Sequence, residues 1–175
     1  MESTMDRVSI FVDGSNLYHG LKGEFGRTDL DFNLFIQQLV NGRRLIRTYY
    51  YNASIPASQN AEQASNQQRF FDRLRRIPYL DIRLGRLEPR DNTFVEKGVD
   101  IRIAVDMLSM AFHNAYGTAV LVSSDGDFVK VMEAVRDLGK HVEVACFRKA
   151  YHVKQAADKI IELNEAFLAP LWEKR

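Results

Sequence analysis

Residues 8–16 read Val-Ser-Ile-Phe-Val-Asp-Gly-Ser-Asn, and this stretch limits the fold more than any other. Five apolar or β-favouring residues run straight into an acid, a glycine and two small polar residues. That is how a buried strand ends at the open edge of a sheet. A carboxylate at such an edge faces a crevice, because ligands of open α/β sheets collect at the carboxyl ends of the strands. Asp13 and Asn16 are therefore candidate functional residues. An architectural account of the same residues is that Gly14 and Asn16 form a turn and Asp13 caps the next helix.

The rest of the chain alternates strand and helix signals. A short helix over 17–21 and a polar, glycine-bearing connection over 22–29 lead to a second helix capped by Asp31 or Asn33. In it Phe32, Phe35, Ile36, Leu39 and Val40 share one face. Residues 44–53, with three consecutive tyrosines, read as the second strand, ended by Pro56. A polar stretch over 58–68 precedes a helix holding Phe70, Phe71 and Leu74, stopped by Pro78. Leu80, Ile82, Leu84 and Leu87 mark the third strand, and 88–96 reads as a loop. Lys97 and Gly98 open the strongest helical signal, 99–112, apolar on most sides and expected to be largely buried. Strands over 119–122 and 142–147 flank a helix over 128–138 closed by Gly139, and 151–172 reads as one or two further helices. This order predicts a mostly parallel sheet with right-handed crossovers. A chain of 175 residues with no repeat or linker is expected to be one domain, its core about 8–163 with a helical tail over 164–175.

Three places bring carboxylates to one side of such a sheet. Asp13 ends the first strand, and Asp100 lies in the first turn of the long helix. Asp125 and Asp127 follow the fourth strand in Val122-Ser123-Ser124-Asp125-Gly126-Asp127-Phe128. If the backbone stays extended through Gly126, both acids point to one side. Four carboxylates in one crevice repel and raise one another's pKa values unless a cation is present. Oxygen-only ligands favour a hard ion, Mg²⁺ or Mn²⁺, which engages phosphate oxygens, activates a water and stabilises a leaving oxygen. Taken singly, Asp100 is also an ordinary first-turn acid and Asp127 also an N-cap. Asp106 lies about 240° around the helix from Asp100 and is expected as a supporting residue or helix partner. His19, one turn past Asn16, either reaches the crevice or is an ordinary surface or core histidine.

Hydrophobic residues at 46% and charged residues at 27% describe an ordinary globular protein, and the net charge is +1. Within residues 43–90, however, ten arginines stand against four acids. This local excess suits a phosphate backbone, or else a solvated helical face. The single cysteine, Cys146, lies in an apolar run, which excludes an internal disulfide or thiolate metal site. No secretory signal or apolar run of membrane-spanning length is present, and a cytoplasmic location without membrane partners is expected.

Phe-Val-Asp-Gly-Ser-Asn at 11–16, Lys-Gly-Val-Asp at 97–100 with Asp106 following, and Ser-Ser-Asp-Gly-Asp-Phe at 123–128 together resemble the NYN domain of the PIN-like ribonuclease superfamily, and most of all its bacterial LabA-like branch. The resemblance covers about residues 8–163. It implies a Rossmann-like PIN/NYN fold of the α/β class, a metal-binding acidic cluster and endoribonuclease activity. Asp13, Asp100, Asp125 and Asp127 match the acidic cluster, and Asn16 the polar residue beside it. On this basis Asn16, Ser123 and Ser124 are expected to orient carboxylates or phosphate. Lys97 either meets the phosphate oxygens or pairs with a neighbouring acid.

The expected partner is RNA, single-stranded because its backbone bends into a cleft, gripped by the arginine-rich middle. A homodimer is a further expectation. The competing function is an RNA-binding or regulatory module of the same fold without turnover. Other phosphate-handling α/β enzymes fail on particular residues. A haloacid-dehalogenase-type phosphatase would need an acid at Ser15. A receiver domain would need an acceptor aspartate ending the third strand. Dinucleotide binding would need a Gly-x-Gly-x-x-Gly turn after the first strand.

Overall fold

Parallel strands joined by helical crossovers must bury both faces of their sheet, and the chain does so with two separate helical layers. The computed structural model describes residues 6–91 and 93–174. In order the elements are β1 (Arg7–Asp13), α1 (Gly14–Phe25), α2 (Phe32–Val40), β2 (Arg44–Ala53), α3 (Ala61–Leu74), β3 (Leu80–Arg90) and β4 (Thr93–Lys97). They continue with α4 (Val99–Phe112), β5 (Thr118–Val122), α5 (Val129–Asp137), β6 (His141–Cys146), α6 (Tyr151–Ala156), β7 (Lys159–Glu162) and α7 (Glu165–Leu168). Seven strands form one sheet in the order β4-β3-β2-β1-β5-β6-β7. Every pairing is parallel except β3 with β4. The mostly parallel, helix-flanked α/β sheet expected from the sequence is thus the architecture of the chain.

Alternation with period two sorts the strand residues between the layers. Val8, Ile10 and Val12 of β1 join Val120 and Val122 of β5 in a core with α1, α2, α3 and α7. Phe11, Leu121, Val142, Val144 and Cys146 face the other way, into a core with α4, α5 and α6. β1 and β5 lie side by side at the centre, and the crossovers leave them in opposite directions. The crevice at their carboxyl ends is the topological switch point of the sheet.

The structure corrects four expectations. Residues 88–96 are not a loop: β3 runs on to Arg90 and returns as β4, with Arg86 opposite Lys97 and Leu87 opposite Glu96. The ribbon's apolar residues are few and scattered among charged ones along the chain, which hid its strand character. The polar run over 58–68 is largely the first turns of α3, which Asn60 caps by accepting from the Gln63 N–H at 2.9 Å. Helix α1 likewise extends from Gly14 to Phe25, past the 17–21 expected, and stops at the left-handed Gly26. Residues 151–172 include a strand, β7, as well as α6 and α7. At four residues β7 is too short to show a period.

Helix α4 departs most instructively. Val99, Ile103, Met107 and Ala111 recur every fourth residue and are buried on the sheet. Four other apolar residues are not: Ile101, Val105, Leu108 and Phe112 are 71%, 57%, 39% and 74% exposed. Their 4-3-4 spacing makes a second apolar stripe on the outer side of the helix. Truncating a residue from each stripe separates the two roles. In urea unfolding of the monomer, Ile103→Ala should cost about 2–5 kcal/mol, whereas Ile101→Ala should stay within about 0.5 kcal/mol.

Candidate active site

Because odd-numbered residues of β1 face the α4 layer, Asp13 follows Phe11 towards that side at the end of a wholly buried strand. Gly14 then starts α1 where no larger residue fits, since a Cβ would lie 2.4 Å from the Tyr50 hydroxyl and 2.6 Å from the Tyr51 carbonyl oxygen. Asp13 caps the helix, with Oδ1 accepting from the Asn16 N–H at 3.2 Å. The helix cap and the candidate functional acid are thus the same carboxylate.

From Asp13 a chain of hydrogen bonds crosses the switch point. The Ser123 hydroxyl donates to Asp13 Oδ2 at 3.1 Å and accepts from the Asp125 N–H at 3.1 Å. Asp125 Oδ1 accepts from the Asp127 N–H at 3.0 Å. Asn16 Oδ1 accepts from the Ser124 N–H at 2.9 Å, and Ser124 Oγ from the Phe147 N–H at 3.0 Å. Asn16, Ser123 and Ser124 therefore orient carboxylates and backbone, tying the ends of β1, β5 and β6 together. The backbone does not stay extended through Gly126. Residues Gly126–Phe128 form a 3-10 turn with Asp125 as its cap. Asp125 faces the cleft, while Asp127 is exposed on the turn and does not line it.

The cleft has a volume of about 520 Å³. Its walls carry Asp13, Asp100 and Asp125 together with Asn16, Ser124 and His19. Two further acids, Glu96 and Glu24, were missed from sequence, as was Lys149. Glu96 was hidden by the reading of 88–96 as a loop. Strand alternation supplies the missing signal, since neighbours Glu96 and Lys97 must point to opposite faces of β4. Lys97 accordingly turns away from the cleft and pairs with Glu88 at 2.8 Å, the second of its two expected roles.

Electrostatics bind these acids into one system. Burial is the main cause that lifts the Asp13 carboxyl to about 6, and the charges of Asp100 and Asp125 add to it against the hydrogen bonds from Asn16 and Ser123. Asp100 is raised first by desolvation and then by Asp125 and Asp127. Glu96 is raised by desolvation and then by Asp13 and Asp100. Gly98, in the left-handed region at φ 83°, makes the tight joint that sets Glu96 and Asp100 on the same cleft. Asp106 stands apart from it. It accepts from the Tyr51 hydroxyl at 2.8 Å and pairs with Arg83, whose guanidinium covers the Tyr49 ring at 4.5 Å. This cluster fastens α4 to β2 and β3, and so places the first turn that carries Asp100.

The arginine excess is not at the cleft. None of the ten arginines of residues 43–90 lines it. Arg43, Arg47, Arg73, Arg75 and Arg83 are in ion pairs with Glu143, Asp81, Glu173, Asp72 and Asp106. Three of those acids come from outside the segment, where sequence-local counting could not see them.

Among the described residues no three acidic, histidine or cysteine side chains form a ready-made metal shell. The donors do fit a hard divalent ion. They are carboxylate oxygens, mutually repulsive, with one buried acid held high by its surroundings.

Asp13 binds its proton more tightly folded than unfolded. The stability this confers is complete below pH 3.8 and is lost as pH rises through about 6. At pH 7.5 the buried anion thus costs about 1–3 kcal/mol. Asp13→Asn, which keeps the acceptor for the Asn16 N–H, should raise the melting temperature at pH 7.5 in EDTA by several degrees. The gain should fade towards pH 4.

Comparison with known proteins follows the same lines. The chain is 27% identical over 169 residues to the low amplitude and bright protein LabA of Synechococcus elongatus, covering 91% of this chain and 84% of that protein. It shares its fold, at a TM-score of 0.78 and 21% identity, with a crystal structure of a protein of unknown function from Vibrio parahaemolyticus, over 96% of this chain and 99% of that one. The family model of the NYN domain matches residues 7–164, a span that holds all three acidic motifs and every strand of the sheet. The chain belongs to the NYN domain family.

Proposed function

We propose that the protein is a metal-dependent endoribonuclease that hydrolyses phosphodiester bonds of single-stranded RNA. The NYN domain family includes PIN-like nucleases. The observation that carries the reading is the buried Asp13 at the switch point, facing Asp100, Asp125 and Glu96 across one cleft.

Asp13, Asp100 and Asp125 would hold Mg²⁺ or Mn²⁺, with Asp127 and Glu96 adding negative charge at its margin. When bound, such an ion activates a water and stabilises the leaving oxygen of a phosphodiester. Ser123 keeps both Asp13 and the Asp125 backbone in register, so the two carboxylates are oriented before the ion arrives. Asn16 fixes the Ser124 backbone, which keeps the end of β5 from opening.

Cleavage of a labelled, mixed-sequence single-stranded RNA tests the reading. It should require Mn²⁺ or Mg²⁺, stop with EDTA, and fall by at least about 100-fold in both Asp13→Asn and Asp125→Asn. RNA retained without cleavage under any metal would favour the binding module instead.

We further propose that a homodimer forms on the outer stripe of α4, where Ile101, Val105, Leu108 and Phe112 are exposed. The outer stripe of α4 is uncharged and apolar, and its 4-3-4 spacing is that of a helix-pairing seam. A second copy presents the same uncharged stripe and is self-complementary to it. Sedimentation should find a dimer for the wild-type chain and a monomer for Phe112→Glu.

A further inference from the structure

Beyond the acids, the segment that follows β6 contributes Phe147 and Lys149 to the lining of the same cleft. Residues 147–152 read Phe-Arg-Lys-Ala-Tyr-His. Ala150 and Val153 are buried and anchor the segment, which turns Arg148, Lys149, Tyr151 and His152 to solvent. Its backbone is tied down where it leaves β6. The Phe147 N–H donates to Ser124 Oγ at 3.0 Å, and the Arg148 carbonyl accepts from Lys154 Nζ at 3.0 Å. His152 packs on the turn that carries Asp125, where a Cβ on Gly126 would lie 3.4 Å from His152 Cβ.

Two side chains of this segment have no structural task that would explain them. Lys149 lines the cleft opposite Asp13, Glu24, Glu96, Asp100 and Asp125. Among the described residues it makes no hydrogen bond or ion pair, whereas Lys97 pairs with Glu88 and Lys154 with Glu162. Tyr151 is 65% exposed. Its ring is nonetheless held in orientation, because the hydroxyl accepts from Gln155 Nε2 at 2.8 Å and the ring meets His152 edge-on at 5.5 Å between centroids.

We propose that residues 148–152 form the strand-binding rim of the cleft. In this arrangement Lys149 takes a phosphate oxygen next to the cleaved linkage, and Tyr151 stacks on an unpaired base of single-stranded RNA. The inference rests on the nuclease reading above. An RNA strand entering a cleft with five carboxylates is repelled unless cations stand at its mouth, and Lys149 is the ammonium available there. A fixed, bare aromatic ring is a platform for any base, since every base has a π-face. Such a platform has no use for a duplex, whose bases are already stacked inside the helix. The rim therefore selects single strands without selecting sequence.

Fluorescence anisotropy of a labelled, mixed-sequence RNA of about 12 nucleotides tests this, with Ca²⁺ present to occupy the oxygen-lined site. Tyr151→Ala should weaken binding roughly ten-fold and Tyr151→Trp should restore it. Lys149→Ala should weaken binding and reduce the slope of log affinity against log salt by about 0.7, and Lys149→Arg should recover both. The same RNA annealed to its complement should bind more weakly and be indifferent to Tyr151→Ala. If wild-type protein binds and cleaves RNA but both alanine variants match it within about two-fold, the rim is wrong and the nuclease reading stands. If wild-type protein neither binds nor cleaves, both readings fall.

Discussion

The parallel pairing of β1 with β5 is the contact on which the rest of the molecule depends. Its register sets Val12 against Val122, so the next residues along each strand, Asp13 and Ser123, arrive side by side where the chain changes its crossover direction. The hydroxyl of Ser123 then bridges the Asp13 carboxylate and the Asp125 backbone. Slipping this register by a single residue would turn Phe11 and Leu121 to the wrong core and separate the acid from its partner. Core packing and site geometry are consequently enforced by one set of apolar contacts. The energy that holds Asp13 in place comes from the burial of its strand.

That arrangement has a cost which itself carries information. A carboxylate at 4% exposure is not placed by stability, because the apolar surroundings disfavour its charge. Two hydrogen bonds compensate only in part. The surrounding acids make the position worse and not better. Sites built for function accept such penalties, and the rest of the core offsets them. A divalent ion would relieve the repulsion, which is why the electrostatics and the chemistry of the donors point the same way.

Charge elsewhere is divided by position. Arginines are engaged in holding elements together: Arg43 reaches Glu143 on β6, and Arg83 reaches Asp106 on α4. The cleft is left almost wholly acidic, with one unpaired lysine among its lining residues. A net charge of +1 hides this segregation. On the proposed function, this segregation would suit a cation deep in the cleft and an anionic strand at its mouth.

Much of this was legible from residues alone. Period-two alternation and helical spacing are local consequences of backbone geometry, so the strands of the central sheet and most helices could be read directly. The ends of β1 and β5, and the first turn of α4, were therefore recognisable as places where Asp13, Asp125 and Asp100 would gather. Properties that depend on long-range partners were not legible. The β3–β4 ribbon, whose few apolar residues are scattered among charges, was missed, and with it went Glu96. Arg43 and Arg83 found acids 100 and 23 residues away in sequence, which no local count of charge anticipates. Of Lys97 and Lys149, only the direction of β4 and the position of the loop after β6 decide which one faces the cleft. Sequence determined which elements form and which residue types end them, because those follow from neighbours along the chain. Tertiary structure decided which charges meet, because that depends on register and packing between segments far apart in sequence.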